Sequence, residues 1–219
     1  MEPTDENIKA WNAVHGRAAA EETGIPAHVR ERLPDIKGKH VLHLQCGIGV
    51  MSAELAELGA LVTGVDLSTE ALAQAHELAP SGAFVHADSQ SLPLELRRGR
   101  FDLVFTGGGV IGWLQDLDSW AAGIFAALRR RGALFLYEEH PVVGCLDPAL
   151  RWRDDYFDED VVAGTGTRNE RFWRLGQIVT AIAETGLVIR RLEEFPSLGS
   201  RRRQDPRVPG ELVLVAEKP

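Results

Sequence analysis

The 219-residue chain predicts an α/β fold: an open sheet of five parallel-type strands closed by an antiparallel pair, with helices on both faces. Three observations carry this. Between residues 40 and 139, short apolar runs of strand length alternate with stretches of helical periodicity, the pattern of a parallel sheet with crossover helices. The first unit, HVLHLQCGIGVMSAELAELGALVTGVD (40–66), reads strand, glycine turn, helix, strand and closes on an acid. The last two apolar runs, 187–195 and 211–217, are joined by a loop with no helix, which pairs them antiparallel.

Each element has its own warrant. Residues 5–33 look helical, and Trp11 and Val14 could pack on the body of the protein. Trp11 is either a packing staple or part of an N-terminal helical lid, residues 1–34, because an aromatic carries large apolar area wherever it lands. Val41, Leu42 and Leu44 suit a strand buried on both faces, and Gly47 and Gly49 mark a sharp turn open to a ligand. A helix is read over 50–58 with Gly59 ending it, then a strand over 61–65 with Asp66 past its end. Ser68 is a good N-cap for a helix over 69–79, whose Leu72, Ala75, His76 and Ala79 share one face.

AFVH (83–86) is a short third strand with Asp88 and Ser89 beyond it; FDLVF (101–105) is the fourth and runs into Thr106-Gly107-Gly108-Gly109. A helix starting at Asp116 or Asp118 carries Trp120, Ile124 and Leu128, and Arg129-Arg130-Arg131-Gly132 reads as its solvated C-terminus. ALFLY (133–137) is the fifth strand, delivering Glu138, Glu139 and His140 to the ligand edge. Residues 141–172 lack periodicity but contain Trp152, Tyr156 and Phe157, so they read as a cap inserted over the pocket. A helix over 173–184 follows, and the loop GSRRRQDPRVPG (199–210) between the last strands is expected to be exposed.

Charge and cysteine content narrow the function. The net charge of -8 and pI of about 5.4 leave no basic footprint for nucleic acid. Cys46 and Cys145 stand far apart with no metal-ligand spacing, so neither a disulfide framework nor a metal site is expected. The N-terminal MEPTDENIKAWNAVHG lacks the apolar core of a signal peptide, and no run reaches transmembrane length. A cytoplasmic, single-domain protein, monomeric or homodimeric and without membrane or nucleic-acid partners, is expected.

Ligands of open α/β sheets bind outside the carboxyl ends of the strands. There the glycine turn offers backbone N–H groups and Asp66 offers two acceptors for a ribose diol. NAD, FAD or S-adenosylmethionine would each suit such a unit. Ser52 stands where a dinucleotide fingerprint has its third glycine. Asp88 could accept from a purine amine, or Asp88-Ser89 simply caps the next turn.

The ordered motifs resemble the class I S-adenosylmethionine-dependent methyltransferases over roughly residues 35–219. VLHLQCGIG is similar to that family's first motif, V-L-D-L-G-C-G-T-G; GVDLS, ADSQSLP, FDLVFTGGG and LRRRGALFLYEEHP are similar to the next four. The resemblance implies a Rossmann-like seven-stranded sheet of order 3-2-1-4-5-7-6, its last strand antiparallel, and S-adenosylmethionine as cofactor. Two positions depart from the pattern: His43 replaces the family acid and Gln45 the first family glycine. LHLQC nevertheless resembles a bacterial subset of small-molecule methyltransferases, which makes His43 a candidate supporting residue.

Carried over by motif, Cys46, Gly47 and Gly49 would contact the methionine part of the cofactor. Asp66 would bind the ribose hydroxyls, Leu67 would flank the adenine, Asp88 and Ser89 would meet its edge, and Thr106 and Gly107 would lie near the sulfur. An acceptor pocket is expected under the cap, bordered by Trp113, His140, Tyr156, Trp173 and the lid residue Trp11. If the small-molecule acceptor must lose a proton, His140 is the candidate base and Glu139 its rival, since strand alternation lets only one point inward. The plainer alternative has His140-Pro141 ending the strand, with the imidazole bonded to a backbone carbonyl. Two other readings stand beside methyl transfer to a small molecule: a nicotinamide-dependent oxidoreductase, and a catalytically inactive cofactor-binding relative.

Overall fold

The computed structural model describes residues 9, 24–147, 149, 151–158, 171–196 and 205–219. Its strands are β1 (His40–Leu44), β2 (Leu61–Asp66), β3 (Ala83–His86), β4 (Phe101–Gly107), β5 (Leu128–Glu139), β6 (Val188–Pro196) and β7 (Pro209–Glu217). They form one sheet in the order β3-β2-β1-β4-β5-β7-β6. Pairing is parallel from β3 through β5, and β7 runs antiparallel to both β5 and β6. The expected topology and its single reversed strand are therefore present.

The helices are α1 (Ala27–Arg30), α2 (Val50–Glu57), α3 (Thr69–Leu78), α4 (Leu117–Ala127) and α5 (Leu175–Glu184). Strand alternation divides the core between the two sheet faces. Val41, Phe105, Phe135 and Val213 pack with Val29 of α1 and Leu55 of α2. Leu42, Leu44, Val104, Leu134 and Leu214 pack on the other face with Trp120 and Ile124 of α4 and Ile182 of α5. Each central strand feeds both layers, which is why it reads as a continuous apolar run. Ser68 caps α3 as expected, its Oγ accepting from the Ala71 N–H at 3.0 Å.

Four expectations need correction. Of the helix read over 5–33, the described residues from 24 onward keep only α1: Pro26 is its N-cap and Pro34 follows it, and a proline cannot continue a helix. Arg129–Arg131 do not cap α4. The helix stops at Ala127, Leu128 pairs with Phe101, and the three arginines extend β5. Arg129 forms an ion pair with Asp102, and Arg131, at φ +64°, donates its N–H to the Lys218 carbonyl. Those partners come from β4 and from the chain end, which local helix signals cannot reveal. The helix read from Trp173 starts at Leu175, because Arg174 is its N-cap, bonded to Gln177. The loop 199–210 is not wholly exposed: Asp205 is buried with its carboxylate on the Arg207 N–H and guanidinium, and the Gly210 carbonyl accepts from His140 N–H.

Candidate ligand-binding cleft

A cleft runs along the carboxyl ends of β1, β2 and β3 and the segment that follows β4. Of the residues singled out in the sequence, Asp66, Leu67, Asp88, Ser89 and Trp113 line it. Gln45, Gln90, Val110 and Leu114 also line it and had not been assigned a place there.

Asp66 organises one wall. It is only 4% exposed; its Oδ2 accepts from the Gly47 N–H at 2.8 Å and its Oδ1 from the Ser68 N–H at 2.9 Å. A carboxylate oxygen has a second lone pair, so an oriented acid with these bonds can still accept from a diol. Gly47, at φ +54°, makes the turn that brings its N–H to the acid. Gly49, at φ +86°, serves packing: a Cβ there would meet Ala75 Cβ at 2.7 Å, so its absence lets α2 approach α3.

Cys46, Gly47, Gly49, Thr106 and Gly107 are not among the lining residues. Cys46 is buried beside Gly64. Thr106 is fully buried, with its Oγ1 lacking a hydrogen-bond partner among the described residues. Gly107 is pressed against β5, where a Cβ would come within 2.1 Å of the Tyr137 carbonyl oxygen. In the glycine triplet, only Gly109 faces open space.

The two departures from the family pattern have clear local roles. His43 is buried, its Nδ1 2.7 Å from Ser52 Oγ and its ring edge-on to Phe105. Burial pushes its pKa down to about 3, so the imidazole is neutral. Gln45 adopts φ +54°, the left-handed conformation that explains a glycine at this place. Its Nε2 donates to the Val110 carbonyl at 2.9 Å across the cleft, and its buried Oε1 has no partner among the described residues.

Backbone clamps hold the opposite wall. Asp88 Oδ1 accepts from the Gln90 N–H at 2.8 Å, and Gln90 Oε1 accepts from the Gln115 and Asp116 N–H groups at 2.7 and 2.8 Å, tying the β3 loop to the start of α4. Buried Glu138 accepts from the Val110 and Ile111 N–H groups, both at 2.9 Å.

The proposed acceptor residues are dispersed. His140 Nδ1 accepts from the Val142 N–H at 3.2 Å and Nε2 lies 2.9 Å from Glu194 Oε1, so the ring caps the 3-10 turn Pro141–Cys145. With Nδ1 accepting, Nε2 carries the proton, and no ring lone pair remains for a substrate. Burial lowers its pKa while Glu194 opposes that shift. Glu139 is half-buried and does not line the cleft. Tyr156 Oη accepts from the Leu175 N–H at 3.1 Å, and Trp173 Nε1 donates to the Leu114 carbonyl at 2.9 Å. Trp173 thus braces the cleft wall from behind. Arg171 meets that wall too, its N–H donating to the Gly112 carbonyl at 2.7 Å. Trp11 and residues 159–170 lie outside the described residues.

On the other sheet face, Tyr137 Oη donates to Glu211 Oε1 at 2.8 Å and His28 Nε2 lies 3.0 Å from Glu211 Oε2. Among the described residues no cluster of His, Cys, Asp or Glu could hold a metal ion, and no helix is long and apolar enough to cross a membrane.

Residues 42–136 match a family model described as a methyltransferase domain. A trans-aconitate 2-methyltransferase from Delftia acidovorans is 32% identical over 127 residues, 57% of this chain and 47% of the relative. A malonyl-[acyl-carrier protein] O-methyltransferase from Pseudescherichia vulneris is 27% identical over 223 residues, covering 94% of this chain and 87% of the relative. The chain spans about half the length of the first curated relatives it matches. An S-adenosylmethionine-dependent methyltransferase structure from Mesorhizobium loti shares the fold, with a TM-score of 0.69 at 24% identity, covering 87% of this chain and 96% of that one.

Proposed function

We propose that this chain is a class I S-adenosylmethionine-dependent methyltransferase that binds S-adenosylmethionine in the cleft and methylates a small-molecule acceptor, a reading supported by the methyltransferase-domain match and by the methyltransferase relatives. The observation that carries the reading is Asp66, an acid at the end of β2 that lines the cleft with both oxygens already oriented by backbone N–H groups. The fit extends along the sheet edge. Asp66 would take the ribose hydroxyls, Leu67 the adenine face, and Asp88 and Ser89 the adenine edge. Beyond them, Gln45, whose Oε1 has no partner among the described residues, would face the amino-acid end; Cys46, Gly47, Gly49, Thr106 and Gly107, which do not line the cleft, would act on the cofactor only through the turns they build around it.

The bound cofactor supplies a methyl group already activated on a sulfonium. The residues of this chain therefore have to orient: holding nucleophile and methyl in line can contribute about 7–11 kcal/mol. The relatives named for trans-aconitate and malonyl-[acyl-carrier protein] make a carboxylate acceptor the first to try. A carboxylate needs no base, which agrees with a His140 whose nitrogens are both engaged.

The test is incubation with S-adenosylmethionine and a panel of small carboxylic acids, beginning with trans-aconitate, read by mass spectrometry. Methyl ester and S-adenosylhomocysteine should appear together. Binding without turnover on acceptors of every nucleophile type would favour the inactive relative, and binding of NAD(P)H in place of S-adenosylmethionine would favour the oxidoreductase.

A further inference from the structure

Glu138 sits near the end of β5 and is 4% exposed, and among the described residues the groups that bond its carboxylate are backbone donors. Oε2 accepts from Val110 and Ile111, and Oε1 accepts from Glu139 at 2.8 Å. Val110 lines the cleft, its carbonyl accepts from Gln45 Nε2, and the chain then runs through Ile111 to the lining residues Trp113 and Leu114. One side chain thus grips the cleft wall at its origin. Three donors suit an ionised carboxylate; protonation would remove the charge that strengthens all three bonds.

We propose that ionised Glu138 is the positioning residue of this cleft: it holds segment 110–114 in the geometry that receives the ligand, at the expense of fold stability, and its protonation slackens that wall. The proposal takes the identity of the ligand from the cofactor reading above. Burying a charge opposes folding, and burial pushes the Glu138 pKa up to about 7 against the pull of its three N–H bonds. The charged group that adds to this shift is Glu139 on the same strand; the ionisable Tyr137 precedes it, β7 presents Leu212 opposite it, and the 110–111 segment presents only backbone. A side chain kept for stability alone would leave the fold weaker when neutralised. Glu138 should do the opposite.

The experiment compares the full chain with Glu138→Gln by calorimetric titration of S-adenosylhomocysteine from pH 5.5 to 8.5, with thermal melts in the same buffers. At pH 8.5 the variant should bind about tenfold more weakly, as loss of a charged hydrogen-bond acceptor implies, yet melt at the same or a higher temperature. At pH 5.5, where the wild-type carboxyl is protonated, the two should bind alike. Affinity and melting temperature falling together at pH 8.5, or equal affinities at every pH, would overturn the proposal. If neither protein binds S-adenosylhomocysteine, the cofactor reading fails, and hydrogen exchange at the Val110 and Ile111 amides decides the positioning role. Protection that weakens in the wild type below pH 7, and is weak in the variant throughout, upholds it; identical protection removes it. Failure of Glu138→Gln to fold would likewise overturn the proposal, because removing the buried charge should not weaken the fold.

Discussion

His43 and Glu138 show how single buried residues set the response to pH. The His43 pKa is lowered from 6.5 to about 3, so its contribution to stability is complete above pH 6.5 and is lost as pH falls toward 3. The Glu138 pKa is raised from 4.5 to about 7, so its contribution is present below pH 4.5 and lost as pH rises through 7. Between those limits the two slopes oppose each other. A His43→Asn variant removes one of them. The difference in unfolding free energy between wild type and variant should shrink by about 1.4 kcal/mol per pH unit on going from pH 6.5 down to 4.5. Urea titrations at several pH values measure it, and a difference independent of pH would mean that His43 titrates normally in the fold.

Glycines decide how the elements meet around the cleft. Gly49 starts α2 at φ +86° with its α-carbon against Ala75 of α3. Gly49→Ala would combine left-handed strain with a 2.7 Å approach to Ala75 Cβ, and should cost at least about 2 kcal/mol of stability. The α2 N-terminus would also shift beside the Asp66–Gly47 contact, so S-adenosylhomocysteine affinity should fall as well. Chemical unfolding and calorimetry read the two effects; a variant as stable as wild type would show that the two helices part without cost. Extended β5 carries the complementary lesson. Its first four residues, LRRR, look like a helix end, and only the pairing of Leu128 with Phe101 and the contacts of Arg129 and Arg131 with distant chain make them strand.

Across the whole molecule, what was legible in the sequence is what depends on local period and on position at a strand end. The buried strands announce themselves by apolar runs such as VLHL and FDLVF, and Asp66, Leu67, Asp88 and Ser89 reach the cleft because Asp66 ends β2 and the others lie just past the ends of β2 and β3. Residues acting through remote backbone were not legible. Glu138 grips amides 27 and 28 positions away, and Gln90 reaches the start of α4, 25 and 26 positions on. His140 stood out as a histidine after a strand, but its capping of Val142 and its contact with Glu194 depend on geometry that no motif encodes.

If the cleft around Asp66 holds S-adenosylmethionine, calorimetric titration of S-adenosylhomocysteine into wild type and Asp66→Ala will separate the two proteins. Wild type should bind at one site, and the variant, folded by its thermal melt, should lose at least about 1.5–3 kcal/mol of binding free energy, the worth of one hydrogen bond to a charged group. Equal affinity in the two proteins, or no binding to wild type, would mean that Asp66 does not hold this cofactor.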